Sequence, residues 1–129
     1  DALQNNIIKL ANKFKSIPFI VFDITQNPFK SKICNILIML NILEHIEDDD
    51  KALNEAYKLL NDNGKLIVEV PSCKFLYDNY DKKLLHYRRY NEKEIVKKIL
   101  NAGFVIEKKT HFSLNRIFHL QQLNLYYFA

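Results

Sequence analysis

Apolar and polar positions alternate in blocks along this chain, and the period of each block predicts its element. Leu3, Ile7, Leu10, Ala11 and Phe14 recur at three- and four-residue spacing, the pattern of an amphipathic helix over residues 2–14. Pro18 breaks it, and the apolar run 19–22, closing on Asp23, predicts a short strand. Residues 25–32, with Asn27-Pro28, read as a loop. The uncharged run Ile36-Leu37-Ile38-Met39-Leu40 predicts a second strand, buried on both faces. A helix follows, capped by Asp48 or Asp49, with Ala52, Leu53, Ala56, Tyr57 and Leu60 inward. Asn61-Asp62-Asn63-Gly64 stops it, because Asn and Gly take a positive φ most readily.

Residues 66–70 predict a third strand, whose hydrogen-bond ladder Pro71 ends. A long, Tyr-rich, charged connection covers 72–90. Asn91 and Glu94 have capping-box spacing and open a helix with Ile95, Val96, Ile99 and Leu100 inward and Gly103 as its stop. Phe104-Val105-Ile106 begin a fourth strand. The tail over 114–128 reads as a helix, with a strand from 123 as the alternative. Strands alternating with helices predict an α/β fold with a mostly parallel sheet and right-handed crossovers. The four strands, near 19–23, 36–41, 65–70 and 104–110, are expected side by side, with 36–41 next to 65–70.

Composition narrows this picture. A chain of 129 residues with 48% apolar content makes one domain. No apolar run approaches the roughly 18–20 residues that span a bilayer, so a soluble, cytoplasmic protein is expected. Cys34 and Cys73, with no C-x-x-C, argue against a disulfide or zinc site, and no metal ligands are assigned. The net charge of +4 raises the question of nucleic acid, but lysines and carboxylates are interleaved along the helix faces and predict a solvated surface. His111 and His119 lie on an apolar stretch and read as packing or surface residues, and Tyr126-Tyr127-Phe128 as core or a cut edge, with a membrane or partner contact as the alternative. Only two glycines occur, neither of them between a strand and the helix after it.

Candidate chemistry gathers where strands end in polar residues. In open α/β sheets ligands sit just beyond the carboxyl ends of the strands. The second strand runs into Asn41, Glu44 and His45, and the first into Asp23. His45 has the residue type of a general base near neutral pH, or of a hydrogen-bonded histidine ordering the turn. Glu44 suits a substrate, a cofactor amino group or a nearby arginine. His86-Tyr87-Arg88-Arg89-Tyr90 lies in the connection after the third strand, where substrate loops occur. Paired arginines beside aromatics suit a carboxylate, phosphate or sugar-phosphate, with one of them tying the loop down through Asp81 or Glu44. Asp48-Asp49-Asp50 read as helix caps.

These residues carry a family resemblance. Asn41-Ile42-Leu43-Glu44-His45-Ile46-Glu47-Asp48 resembles the N-V-L-E-H-I-x-D stretch after the fourth strand of class I S-adenosylmethionine (SAM)-dependent methyltransferases. Asn63-Gly64-Lys65-Leu66 through Val70-Pro71 is similar to their G-G-x-L-x-x-x-V-P turn and fifth strand. Leu76-Tyr77, Asp81 and His86-Tyr87-Arg88-Arg89-Tyr90, followed by Glu94-Ile95 and Ala102-Gly103-Phe104, resemble the signature of a subgroup often associated with glycosyltransferases. The departures are Cys34-Asn35 for F-D, Asn63 for the first turn glycine and Leu85 for the glycine before the histidine.

The resemblance implies a Rossmann-like methyltransferase sheet, with residues 1–129 a partial domain lacking the first strand and the Gly-rich cofactor loop. It implies SAM as cofactor, with Asp1 at the ribose, Asp23 at the adenine amino group, Ile24 against the ring, and Asn41 and Glu44 also at the cofactor. It assigns His45, His86, Arg88 and Arg89 to catalysis on a small-molecule or glycan-linked acceptor. The rival expectation is a non-catalytic methyltransferase-like remnant serving as an interaction module.

Overall fold

The structure, a computed structural model, describes residues 2–110, 112–113 and 121–126. The expectations for Asp1, His111, His119, Tyr127 and Phe128 fall outside the described residues.

Helix α1 spans Ala2–Lys13. Strand β1, Cys34–Leu40, is followed by a single turn at Leu43–His45 and helix α2, Asp49–Leu59. Strand β2 covers Leu60–Pro71. After it come a turn at Lys74–Leu76, the short helix α3 at Asn79–Lys83, and helix α4 at Glu92–Asn101. Strands β3, Phe112–Ser113, and β4, Gln121–Tyr126, complete the described elements. The sheet order is β1-β2-β4-β3. β1 and β2 are parallel, joined through α2 as expected, and β4 pairs antiparallel with both β2 and β3. The parallel part of this α/β sheet is therefore the β1–β2 pair.

Burial follows the period of β1, β2, α2 and α4, whereas Leu10 of α1 and Phe14 just beyond it are exposed. Met39 in β1 and Leu66, Val68 and Val70 in β2 are buried at alternate positions, as strand geometry requires. They form one cluster with Ala52, Leu53 and Ala56 of α2 and Ile95 and Ile99 of α4, which recur at helical spacing. Ile36, Ile38 and Leu40 are exposed, so β1 is covered on one face rather than two. Tyr57 and Leu100, expected inward, are also exposed.

α2 ends at Leu59, and residues 61–64 form a bulge within β2, where the β1 partner shifts from Leu60 opposite Cys34 to Lys65 opposite Ile36. Asn63 takes φ 61°, while Gly64 is needed for closeness: a Cβ there would stand 2.8 Å from the Asn61 carbonyl oxygen. Asn61 Nδ2 donates to Asn35 Oδ1 at 2.7 Å and ties the bulge to β1.

Two expected strands are absent. Residues 19–23 form no strand, and Ile20 and Val21 are exposed; none of the described strands offers them a ladder. Residues 104–110 are likewise irregular. Phe104 is a buried anchor packed edge-on against the Tyr57 ring at 5.1 Å, and ladder pairing begins only at Phe112. The tail, read as a helix with a strand from 123 as the alternative, is a strand over 121–126, matching the period-two alternation of Leu123 and Leu125 with Gln122 and Asn124. Asn91 occupies the N-cap of α4 without a side-chain cap bond, and the Glu94 carboxylate instead accepts from Lys74 Nζ at 3.1 Å.

Candidate functional site

The exit of β1 is a sharp turn. Asn41 takes φ 51°, its backbone N–H donates to the Glu69 carbonyl at 3.0 Å, and its Nδ2 reaches Glu69 Oε1 at 3.4 Å. The next turn buries Leu43 and Glu44 and leaves His45 exposed. Glu44 is 1% exposed, and neither of its carboxylate oxygens takes a hydrogen bond from another of the described residues. Burial pushes its carboxyl above the usual carboxylate range.

The connection after β2 folds back over this turn. Tyr87 N–H donates to the Glu44 carbonyl at 2.8 Å, and Tyr77 Oη donates to the His86 carbonyl at 2.7 Å. The His86 ring stands edge-on to His45, with centroids 4.6 Å apart. His86 Nδ1 lies 2.9 Å from Asp81 Oδ1. Asp81 is fully buried at N3 of α3, where it closes a capping box with Asp78. Arg89 Nε donates to both Asp81 oxygens at 2.8 Å. Burial alone would raise the Asp81 carboxyl, but the hydrogen bonds from Arg89 and His86 outweigh it and hold the group below its ordinary value.

The structure therefore brings together Asn41, Glu44 and His45 at the β1 exit and His86 from the opposite loop. Glu44, His45 and His86 each offer a ligand atom, and these atoms lie within 4.8 Å of one another. Of Arg88 and Arg89, one was expected to tie the loop down through Asp81 or Glu44 and the other to face an acceptor; both are committed within the chain. Arg89 is 4% exposed and bound to Asp81. Arg88 Nη1 pairs with Asp49 Oδ1 at 2.9 Å, and its Nη2 donates to the Glu47 carbonyl at 2.6 Å. Asp23 caps and Ile24 opens the turn Ile24–Gln26. The exposed Asp23 carboxylate accepts from Thr25 N and Oγ1 at 2.8 Å, bonds that lower its pKa, while Ile24 packs against the core cluster.

Sequence reasoning missed Asp49. Asp48 caps α2 by accepting from Lys51 N, whereas Asp49 is buried and takes bonds from Tyr90 Oη and Lys98 Nζ, both at 2.9 Å, besides Arg88. The signal was its phase: Asp49 lies three, four and seven residues before Ala52, Leu53 and Ala56, on the buried stripe of α2.

The profile of the methyltransferase domain family matches residues 2–68, and the chain belongs to that family. No curated protein sequence matches it. Among solved structures, the chain is similar to the 1,6-didemethyltoxoflavin-N1-methyltransferase of Burkholderia thailandensis, solved with 1,6-didemethyltoxoflavin and S-adenosylhomocysteine bound. The TM-score is 0.76 at 17% identity, over 94% of this chain and 55% of that one. A SAM-dependent methyltransferase from Aquifex aeolicus aligns with a TM-score of 0.72 at 12% identity, over 96% and 62%. The cyclase SpnF aligns at 0.70 and 17%, over 84% and 43%. These likenesses show a shared Rossmann-like methyltransferase fold, and the chain spans between 43% and 62% of the length of these three structures.

Proposed function

We propose that the protein to which this chain belongs transfers a methyl group from SAM to a small-molecule acceptor received at the His45–His86 pair. The observation that supports this most directly is the meeting of the β1 exit with the loop after β2, which packs an exposed histidine against an oriented one at the carboxyl edge of the parallel strands. Methyl transfer is an in-line displacement that needs positioning, exclusion of water and a place for the acceptor's proton. SAM would supply the methyl group and leave as S-adenosylhomocysteine, and His45 would take the acceptor's proton. Asp81 fixes His86, and Tyr77 and Tyr87 hold the loop that carries it. Asn41 and Glu44, at the β1 exit, would lie toward the cofactor. The Burkholderia enzyme holds a heterocyclic acceptor and S-adenosylhomocysteine on a similar fold, which supports the same ligand classes here.

Calorimetry and turnover on the full-length protein test this reading. SAM should bind, and His45→Ala should lower acceptor turnover by about 10²–10⁴-fold with SAM affinity unchanged. A full-length protein that binds no SAM would support the second reading, a non-catalytic interaction module.

A further inference from the structure

The β1 exit holds a buried acid with no visible purpose. Both oxygens of Glu44 are shielded from solvent and take no hydrogen bond from any other described residue, an arrangement that costs free energy unless something pairs with them. Two imidazoles converge on the same point, with ligand atoms of Glu44, His45 and His86 within 4.8 Å of one another. His86 is held through Nδ1 by Asp81, which Arg89 holds in turn, so Nε2 is its remaining ring nitrogen. A carboxylate fixing the far nitrogen of a histidine is the usual outer support of a metal-ligating imidazole.

We propose that Glu44, His45 and His86 bind a divalent transition-metal ion of the zinc type, through one carboxylate oxygen and two imidazole nitrogens, with a further coordination position left open on the exposed His45 side. Two imidazoles and one carboxylate suit zinc, cobalt or nickel, whereas magnesium and calcium prefer oxygen throughout. Donor atoms around a tetrahedral zinc stand about 3.3 Å apart. On binding, the three ligand atoms, which lie within 4.8 Å of one another, would close toward that spacing, and His45 is the most exposed of the three. The ion would also supply the positive charge that the buried Glu44 carboxyl lacks. This is the place to which the methyl-transfer reading assigns the acceptor, and an ion there would make His45 a ligand instead of a base. Metal binding itself does not require methyl transfer.

Zn²⁺ calorimetry and Co²⁺ visible absorption on the full-length protein, without SAM or acceptor, decide the matter. One Zn²⁺ should bind at micromolar or tighter concentration, and Co²⁺ should give a spectrum of nitrogen and oxygen ligation. His45→Ala, which changes an exposed side chain and leaves the fold intact, should lose this binding, as should Glu44→Gln where it folds. A Cys34→Ser/Cys73→Ser protein should bind like the parent. No Zn²⁺ binding by the parent, binding unchanged in His45→Ala, or a thiolate-to-Co²⁺ charge-transfer band would each overturn the proposal. None of these results bears on SAM binding, so methyl transfer from SAM stands or falls separately, whereas Zn²⁺ binding would take from His45 the role of base.

Discussion

Tyr90 donates its hydroxyl to Asp49 Oδ2 at 2.9 Å, linking the end of the connection after β2 to the first turn of α2. Both residues are buried. Burial, and then the Asp49 charge, push the phenol far above its ordinary value. An unfolded tyrosine loses its proton near pH 10 while the folded one keeps it, so the native state binds more protons there and stability falls as pH rises. Lys98 acts with the same sign: burial alone would lower its pKa, but bonds to Asp50 and Asp49 raise it. Tyr90→Phe should cost about 1 kcal/mol at neutral pH and make the alkaline decline shallower. Urea titrations between about pH 8 and pH 11 test this, and equal slopes for parent and variant would refute it.

The two arginines should separate by stability. Asp81→Asn leaves the buried Arg89 guanidinium without its carboxylate and should cost about 3–5 kcal/mol. Arg88 is more open, and its partner Asp49 keeps Tyr90 and Lys98, so Arg88→Ala should cost about 1 kcal/mol. Thermal denaturation of both variants checks the order. Equal losses would show that Asp81 is not the anchor described above.

Gly103 and Leu85 make an opposed pair. Gly103 takes φ 101°, and a Cβ there would lie 3.1 Å from the Tyr57 ring. Gly103→Ala should therefore cost about 1–3 kcal/mol. Leu85 holds φ 60° with its side chain largely in solvent. Left-handed geometry costs a non-glycine residue about 1–2 kcal/mol, and glycine's added freedom in the unfolded chain returns about 0.5–1 kcal/mol of that. Leu85→Gly should leave the melting temperature unchanged or slightly higher, and a clear drop would contradict the assignment.

The 129-residue chain by itself should show no low-micromolar affinity for SAM. Close approach of backbone to a cofactor's amino-acid end calls for glycine. Gly64 sits in the β2 bulge and Gly103 beyond α4, so neither is placed for that task. Calorimetry showing tight binding would overturn this expectation.

The sequence made helices legible and strands less so. The stripes of α1, α2 and α4 lie inside single segments, so their spacing alone located them to within a residue or two. β1 and β2 were legible because apolar-rich runs bracketed a helix of crossover length. Residues 19–23 and 104–110 have strand composition, yet a strand exists only where a neighbour supplies the ladder, and no local pattern reveals the neighbour. At the site, the residue types were visible but their commitments were not. Arg88 and Arg89 look alike in sequence, and the charge each one meets is set by carboxylates 39 and 8 positions away, Asp49 and Asp81.

Asp81 serves three partners at once: the backbone of Asp78, the ring of His86 and the guanidinium of Arg89. All four residues fall within the twelve positions from 78 to 89. The loop that faces the β1 exit thus carries its own charge balance and its own scaffold, and none of its parts can be exchanged alone without stranding another. Transplanted whole into a related domain, the segment would bring an oriented histidine with it. Piecemeal grafting of His86 would deliver only an imidazole.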